Sequence, residues 1–505
     1  MNKKWILTIL AGFVPALQAD VILPSVIDSK MVIQQGREAS IWGWAGQNEE
    51  VVVEFAGQVK KASPDASGKW LVKLDPLQAS AEPRSMTIKG KNKIVLNDVL
   101  VGEVWLAAGQ SNMDWTFAQS APEEWELAQR QKDNKLVRAF HVEQNVVAAT
   151  PMDDVLGRWK DCSEMLSTPR SVSSVGFFFA TKLQEALGVP VAFMDVNWGG
   201  RPIEAFIAPE GYEATGLQGP TQARPTDLNV AAQNLRQLKE NLEKIIQANN
   251  QGHRMGMPGT SIYGGAPNEV HHAMIAPLAP YTLRGAIWYQ GEANRGRPDY
   301  FEKLKALSAG WSSIFELKDF PILQVQIAPN DYTNGANPMD STLCETVWTA
   351  QYRAAKEIPG MGLVAIHDTG INVKDIHPKN KKPVGERLAA LALKSQYGKA
   401  VVAHGPRFAS AKRAGSKVVV AFEDIGEGLT TSDGNAPSWF EVSADGKTFV
   451  SADAFLVGNE VHIGADLILD PKFVRMGWRD IALPNLKDKN GWPVFAFPAQ
   501  AVAEQ

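Results

Sequence analysis

The chain has 505 residues, with 51 Lys and Arg against 55 Asp and Glu and a formal charge of −4. At ~150 residues per domain this length corresponds to about three domains, and 45% apolar with 21% charged residues is globular, not disordered, composition. The near-neutral balance argues against a broad nucleic-acid-binding surface, which needs clustered positive charge, and two cysteines exclude a disulfide scaffold and any Cys-rich metal architecture.

The first 19 residues have the layout of a secretory signal peptide: Lys3 and Lys4, an apolar run over 5–14, and the small Ala19 at a cleavage position. The apolar run is shorter than the ~20 residues of a bilayer span, and no later stretch reaches that length. The expectation is an exported chain starting near Asp20, periplasmic or extracellular, in which Cys162 and Cys344 are permitted to pair. Residues 20–100 form an all-β unit by pattern, with strand runs at 39–44, 51–55 and 70–74 and a turn at 65–68. From 101 to 400 strands alternate with helical stretches, as in an α/β layer fold. Strand candidates are 102–107, 191–196, 285–289, 322–327 and 363–367. Leu235, Leu238, Leu242, Ile245 and Ile246 give a helical period over 227–249, within an insertion at about 210–255. Residues 401–505 are β-like again, with runs at 418–422, 440–442 and 461–463. The 15 tryptophans are expected mainly in cores, a sugar-binding face being their other use.

Several chemistries lack their residues. No G-x-S-x-G run is present. Gly446-Lys-Thr448 has Glu441 where a P-loop needs its first glycine, and the glycines of Gly360-Met-Gly362 precede a strand where a dinucleotide fingerprint needs them after it. His271 and His272 are adjacent, without the spacing of a zinc helix. Four segments remain, each at the carboxyl end of a candidate strand, where open α/β sheets collect their chemistry. Gly109-Gln-Ser-Asn-Met113 places Ser111 at a strand-to-helix turn, where a serine either caps the helix or meets a base. Asp195-Val-Asn-Trp-Gly-Gly-Arg201 carries a glycine pair, suited to a plain turn or to the approach of backbone to a ligand. Trp288-Tyr-Gln-Gly-Glu-Ala-Asn294 offers the amides of Gln290 and Asn294. Asp375-Ile-His-Pro378 sets a carboxylate two residues from an imidazole, a spacing that serves a surface pair or an oriented base.

Together and in this order, the four segments resemble the SGNH hydrolases, in the branch typified by sialate O-acetylesterases. The resemblance covers residues 95–400. It implies an SGNH-type, flavodoxin-like α/β/α sandwich, with flanking all-β regions at both ends. It also implies Ser111 as nucleophile, His377 as general base and Asp375 orienting it. The oxyanion hole it implies is built from the N–H groups of Ser111 and Gly200 and an amide side chain, Gln290 or Asn294. No metal or organic cofactor is implied. The Asp-to-His gap of two, where the wider superfamily has three, and Gln at the strand end where it has Asn are departures from the superfamily pattern. Arg201 follows the glycine pair and is a candidate for holding a substrate carboxylate with two charge-assisted hydrogen bonds, or for bracing the loop through Glu204. The expected activity is removal of O-acetyl groups from carbohydrate, sialic acid foremost. Acetylated xylan or a similar polysaccharide is the alternative substrate, and a non-catalytic carbohydrate-binding protein is the reading from another class.

Overall fold

A computed structural model describes residues 20–144, 148, 150–219, 239, 243, 268–415, 417–464, 468 and 470–504. The signal-peptide segment 1–19 and the helix expected over 227–249 lie outside the described residues, apart from Lys239 and Glu243, which are helical.

The centre is a sheet in the order Met361–Val364, Ile322–Val325, Gly285–Tyr289, Lys93–Gly109, Val191–Asn197, Val137–Val142, Gly157–Asp161. All neighbours are parallel except the last pair, where the edge strand Gly157–Asp161 runs antiparallel. Helices cover both faces, so the inner strands are buried throughout and read as continuous apolar runs. Side chains still alternate between faces. Val104, Leu106 and Ala108 enter one core with Ile207, Trp288 and Trp311, while Trp105 and Ala107 enter the other with Phe177, Phe179 and Leu388. This is the α/β sandwich expected from the four segments.

The second core is closed by two helices, Ser174–Leu187 and Lys382–Tyr397. Ser173 accepts from the Gly176 N–H at 3.1 Å and opens the first, and Gly188 in a left-handed conformation ends it. Pro383 stands in the first turn of the second, where its missing N–H costs nothing. Val384, Leu388 and Ala392, at helical spacing, form its buried stripe.

The boundary expected at 100/101 falls inside one 17-residue strand, Lys93–Gly109. Its first half pairs with Ser80–Lys89 and with Val32–Gln34, and its second half joins the parallel sheet. Exposure alternates over the first half and vanishes over the second, because only the second half has helices on both sides. The strand expected at 363–367 is instead Met361–Val364, since this edge strand has one partner and pairs only as far as Ile322–Val325 extends. The C-terminal strands form their own apolar core around Val420, Val442, Val461 and Val474. That region docks on the helix Leu343–Glu357, where buried Asp480 accepts from the Leu343 and Cys344 N–H groups at 3.0 and 2.9 Å, filling the helix N-terminus with a carboxylate. Trp42, Trp70, Trp105, Trp288, Trp311, Trp348 and Trp478 are fully buried, the core role expected for them. Cys162 and Cys344 are free and buried, so the permitted bond does not form. Among the described residues no helix is long and apolar enough to cross a membrane.

Candidate active site

The four segments meet at the carboxyl ends of three adjacent strands. The Lys93–Gly109 strand ends in Gly109 at φ +154°, and a Cβ there would lie 2.2 Å from the Tyr289 carbonyl of the neighbouring strand. Only glycine allows the chain to turn so close to its neighbour. Two residues later, after Gln110, Ser111 opens the single-turn helix Ser111–Asp114, half-buried, with Asn112 and Met113 directed into the protein.

His377 Nε2 lies 2.9 Å from Ser111 Oγ, joining residues 266 positions apart in sequence. The imidazole is stacked on Trp115, with ring centroids 4.6 Å apart and planes within 18°. Asp375 Oδ1 accepts the backbone N–H of His377 at 3.0 Å and stands 3.6 Å from Nδ1, beyond good hydrogen-bond length. The carboxylate therefore fixes the loop directly and the imidazole mainly through its charge. Burial, followed by the nearby Lys381 ammonium, lowers the His377 pKa below the ordinary 6.5, against the upward pull of Asp375. A neutral imidazole facing a serine hydroxyl can accept its proton.

On the other side, the Trp198 N–H donates to the Gly109 carbonyl at 3.0 Å, tying the glycine-pair loop to the serine turn. Gly199 approaches closely enough that a Cβ on it would meet Ser111 Cβ at 3.7 Å and Asp114 Oδ2 at 3.8 Å. Gly200 is exposed, at φ +71°. Among the described residues, the backbone N–H groups of Ser111 and Gly200 donate to no other group. A free backbone N–H on the residue that bears the hydroxyl is a donor that can meet a negative charge developing there.

Gln290 and Asn294 are brought to the same place but turned inward. Gln290 is fully buried, and its Nε2 reaches Asn294 Oδ1 at 2.8 Å and Gln110 Oε1 at 3.1 Å. Asn294 Oδ1 also accepts the Ile203 N–H, and its Nδ2 donates to Glu204 at 2.8 Å. Both amides are spent on bracing three loops against one another, so in this arrangement neither supplies the donor expected of it. Sequence spacing placed them at a strand end but carried no information on which way they face.

Among the described residues Arg201 does not pair with Glu204. Its Nη1 lies 2.8 Å from Glu269, which is fully buried, and its guanidinium sits 4.9 Å from the Trp198 ring centroid. Glu204 pairs with Lys303 at 2.7 Å instead. The bracing half of the expectation fits this geometry, with a different carboxylate, supplied from the far side of the insertion. Sequence reasoning missed Trp115, which carries the imidazole, and Lys381, which is buried behind it. A tryptophan four positions after the serine was visible but pointed equally to the core, and a lysine in a Lys-rich run reads as solvated surface.

The model of a carbohydrate esterase family, sialic acid-specific acetylesterase, matches residues 228–394. A rat sialate O-acetylesterase is 29% identical over 418 residues, covering 74% of this chain and 73% of the rat protein. The human sialate O-acetylesterase is 27% identical over 412 residues, covering 74% and 71%. The crystal structure of a carbohydrate acetylesterase from Xanthomonas citri superposes with a TM-score of 0.77 at 28% identity, covering 94% of this chain and 99% of that one.

Proposed function

As the chain belongs to the sialate O-acetylesterase-like family of SGNH hydrolases and is an acetylesterase of carbohydrates, we propose that Ser111, His377 and Asp375 carry the ester hydrolysis. The single observation supporting this most strongly is the 2.9 Å contact between Ser111 Oγ and His377 Nε2.

Ser111 Oγ attacks the acetyl carbonyl carbon while His377 Nε2 takes its proton. The carbonyl oxygen gathers negative charge and is met by the Ser111 and Gly200 N–H groups. The bond from the acyl carbon to the sugar oxygen then breaks, and the imidazolium returns its proton to that oxygen, releasing the sugar. Water next gives a proton to His377 and its oxygen to the acyl carbon. The bond to Ser111 Oγ breaks, the serine regains its proton and acetate leaves. Asp375 favours the imidazolium formed in each half of the cycle.

O-acetylated sialic acid is the substrate class we propose, supported by the names of the rat and human relatives. Acetylated xylan or another neutral polysaccharide is the second reading, and the pairing of Arg201 with Glu269 favours it, because the guanidinium proposed for a sialate carboxylate already has one. Export through the 1–19 segment belongs to the same proposal, and N-terminal sequencing of the mature protein checks it. The deciding experiment compares wild type and Ser111→Ala on p-nitrophenyl acetate, an O-acetylated sialic acid and an acetylated xyloside. Loss of several orders of magnitude in Ser111→Ala supports the nucleophile assignment, and retention of more than about a tenth of the activity refutes it. The larger kcat/KM between the two sugars identifies the substrate class.

A further inference from the structure

Beneath the Ser111–His377 contact runs a polar chain shut off from solvent. Lys381 is fully buried, and its Nζ lies 2.7 Å from Asn112 Oδ1. Asn112, equally buried, donates through Nδ2 to Glu292 Oε1 at 2.6 Å and to the Ile376 carbonyl at 3.1 Å. Asn112 directly follows Ser111, and Ile376 directly precedes His377. One side-chain amide therefore joins the turn that presents the hydroxyl to the loop that presents the imidazole. Its orientation is fixed by elementary chemistry: a backbone carbonyl only accepts, so the amide nitrogen must face Ile376, which leaves the amide oxygen to accept from Lys381 Nζ.

The arrangement is costly. Burying an ammonium carries a penalty of several kcal/mol, and a methionine of similar length would avoid it. Lys381 offsets part of that penalty with the Asn112 bond and with the faces of Trp115 and Tyr289, whose ring centroids are 5.0 and 5.4 Å from Nζ. The carboxylates that act on it are Glu292, Glu124 and Asp375. Burial outweighs them and pulls its pKa down to about 7.

We propose that Asn112 and Lys381 are positioning residues for hydrolysis, Asn112 setting Ser111 Oγ against His377 Nε2 and Lys381 holding the Asn112 amide in the one orientation that does so. The inference rests on the reading of Ser111 and His377 as the reacting pair. Both residues act through other groups and touch no substrate in this scheme, so their loss lowers kcat and leaves KM nearly unchanged. Lys381 has a second effect that a purely structural residue lacks. Its positive charge disfavours the imidazolium of His377, so removing it raises the pH midpoint of the acid limb, whereas truncating Asn112 leaves the charge in place and the midpoint where it was.

The test is kcat, KM and pH profile on p-nitrophenyl acetate for wild type, Lys381→Met, Asn112→Ala, the double variant and Ser111→Ala, with thermal unfolding of each. We expect kcat to fall about 10–100-fold in each single variant with KM within twofold, and the acid limb to move upward in Lys381→Met alone. The double variant should be no worse than about threefold below the weaker single one, because both act through one tie. Asn112→Asp keeps the acceptor for Lys381 and loses both donors, so it decides the matter if Lys381→Met does not fold, and it too should lose kcat. Retention of over half the wild-type kcat in Asn112→Asp, an unmoved acid limb in folded Lys381→Met, or fully multiplicative losses in the double variant would overturn the proposal while Ser111→Ala remained inactive. An active Ser111→Ala would instead overturn the underlying assignment.

Discussion

Replacing Asp375 with Asn isolates the charge of the acid member of the site. The amide keeps an oxygen for the His377 N–H now bound at 3.0 Å, so the loop should hold its shape, and what disappears is the attraction between a carboxylate and an imidazolium 3.6 Å apart. Two unit charges at that distance attract by about 1 kcal/mol with bulk-water screening and by about 5 kcal/mol at an effective dielectric of ~20. The Asp375 side chain is 42% exposed, which places the pair toward the watery end, at about 1–2 kcal/mol. At tenfold per ~1.4 kcal/mol that is a loss of about 5–30-fold in kcat/KM, far below the roughly 10⁴-fold loss seen where a buried aspartate grips its histidine through a direct hydrogen bond. The assay is initial-rate hydrolysis of p-nitrophenyl acetate at pH 8, where His377 is neutral in both proteins, with unfolding temperature measured alongside. A loss beyond about 10³-fold in a folded variant would mean that Asp375 closes onto Nδ1 during turnover. A loss under twofold would remove Asp375 from the mechanism.

Because burial and the Lys381 charge lower the His377 pKa, kcat/KM should rise with pH through a midpoint below 6.5 and be flat from about pH 7 to 8; a midpoint above 7 in the pH profile would contradict this electrostatic balance. Arg201→Ala breaks the pair with buried Glu269, so unfolding measurements should show a loss of about 3 kcal/mol, and turnover of an acetylated sialic acid and an acetylated xyloside should fall by the same factor; a tenfold selective loss on the sialate would restore Arg201 as a recognition residue. Burial pushes the Cys162 thiol up to about 12 and raises Cys344 well above its usual range, so the native protein should leave a thiol reagent such as DTNB unreacted at pH 8 and release two equivalents once unfolded; rapid reaction without denaturant would show that these thiols are open to solvent.

The sequence by itself determined the class of the fold and brought the candidate site residues to notice. The short apolar runs at 191–196 and 285–289, each followed by glycine or polar residues, mark parallel strands buried on both faces; three of the four motifs stand where such strands end, and Asp375–His377 lie on the long loop after the edge strand Met361–Val364. Ser111 and His377 were recoverable as a pair because a motif order is specific even when each motif alone is not. Contacts between residues distant in the chain were outside its reach, since residue order says nothing about the direction a side chain takes once strands are laid side by side. Tertiary structure turned Gln290 and Asn294 inward against Gln110 and Glu204, gave Arg201 to Glu269 instead of Glu204, and fused the N-terminal β region to the central sheet through the strand Lys93–Gly109. It also made Lys381, which composition assigns to solvent, a buried donor to Asn112. A polar group removed from water must bond to whatever the folded chain sets beside it, and that neighbour is chosen by the packing of the whole molecule.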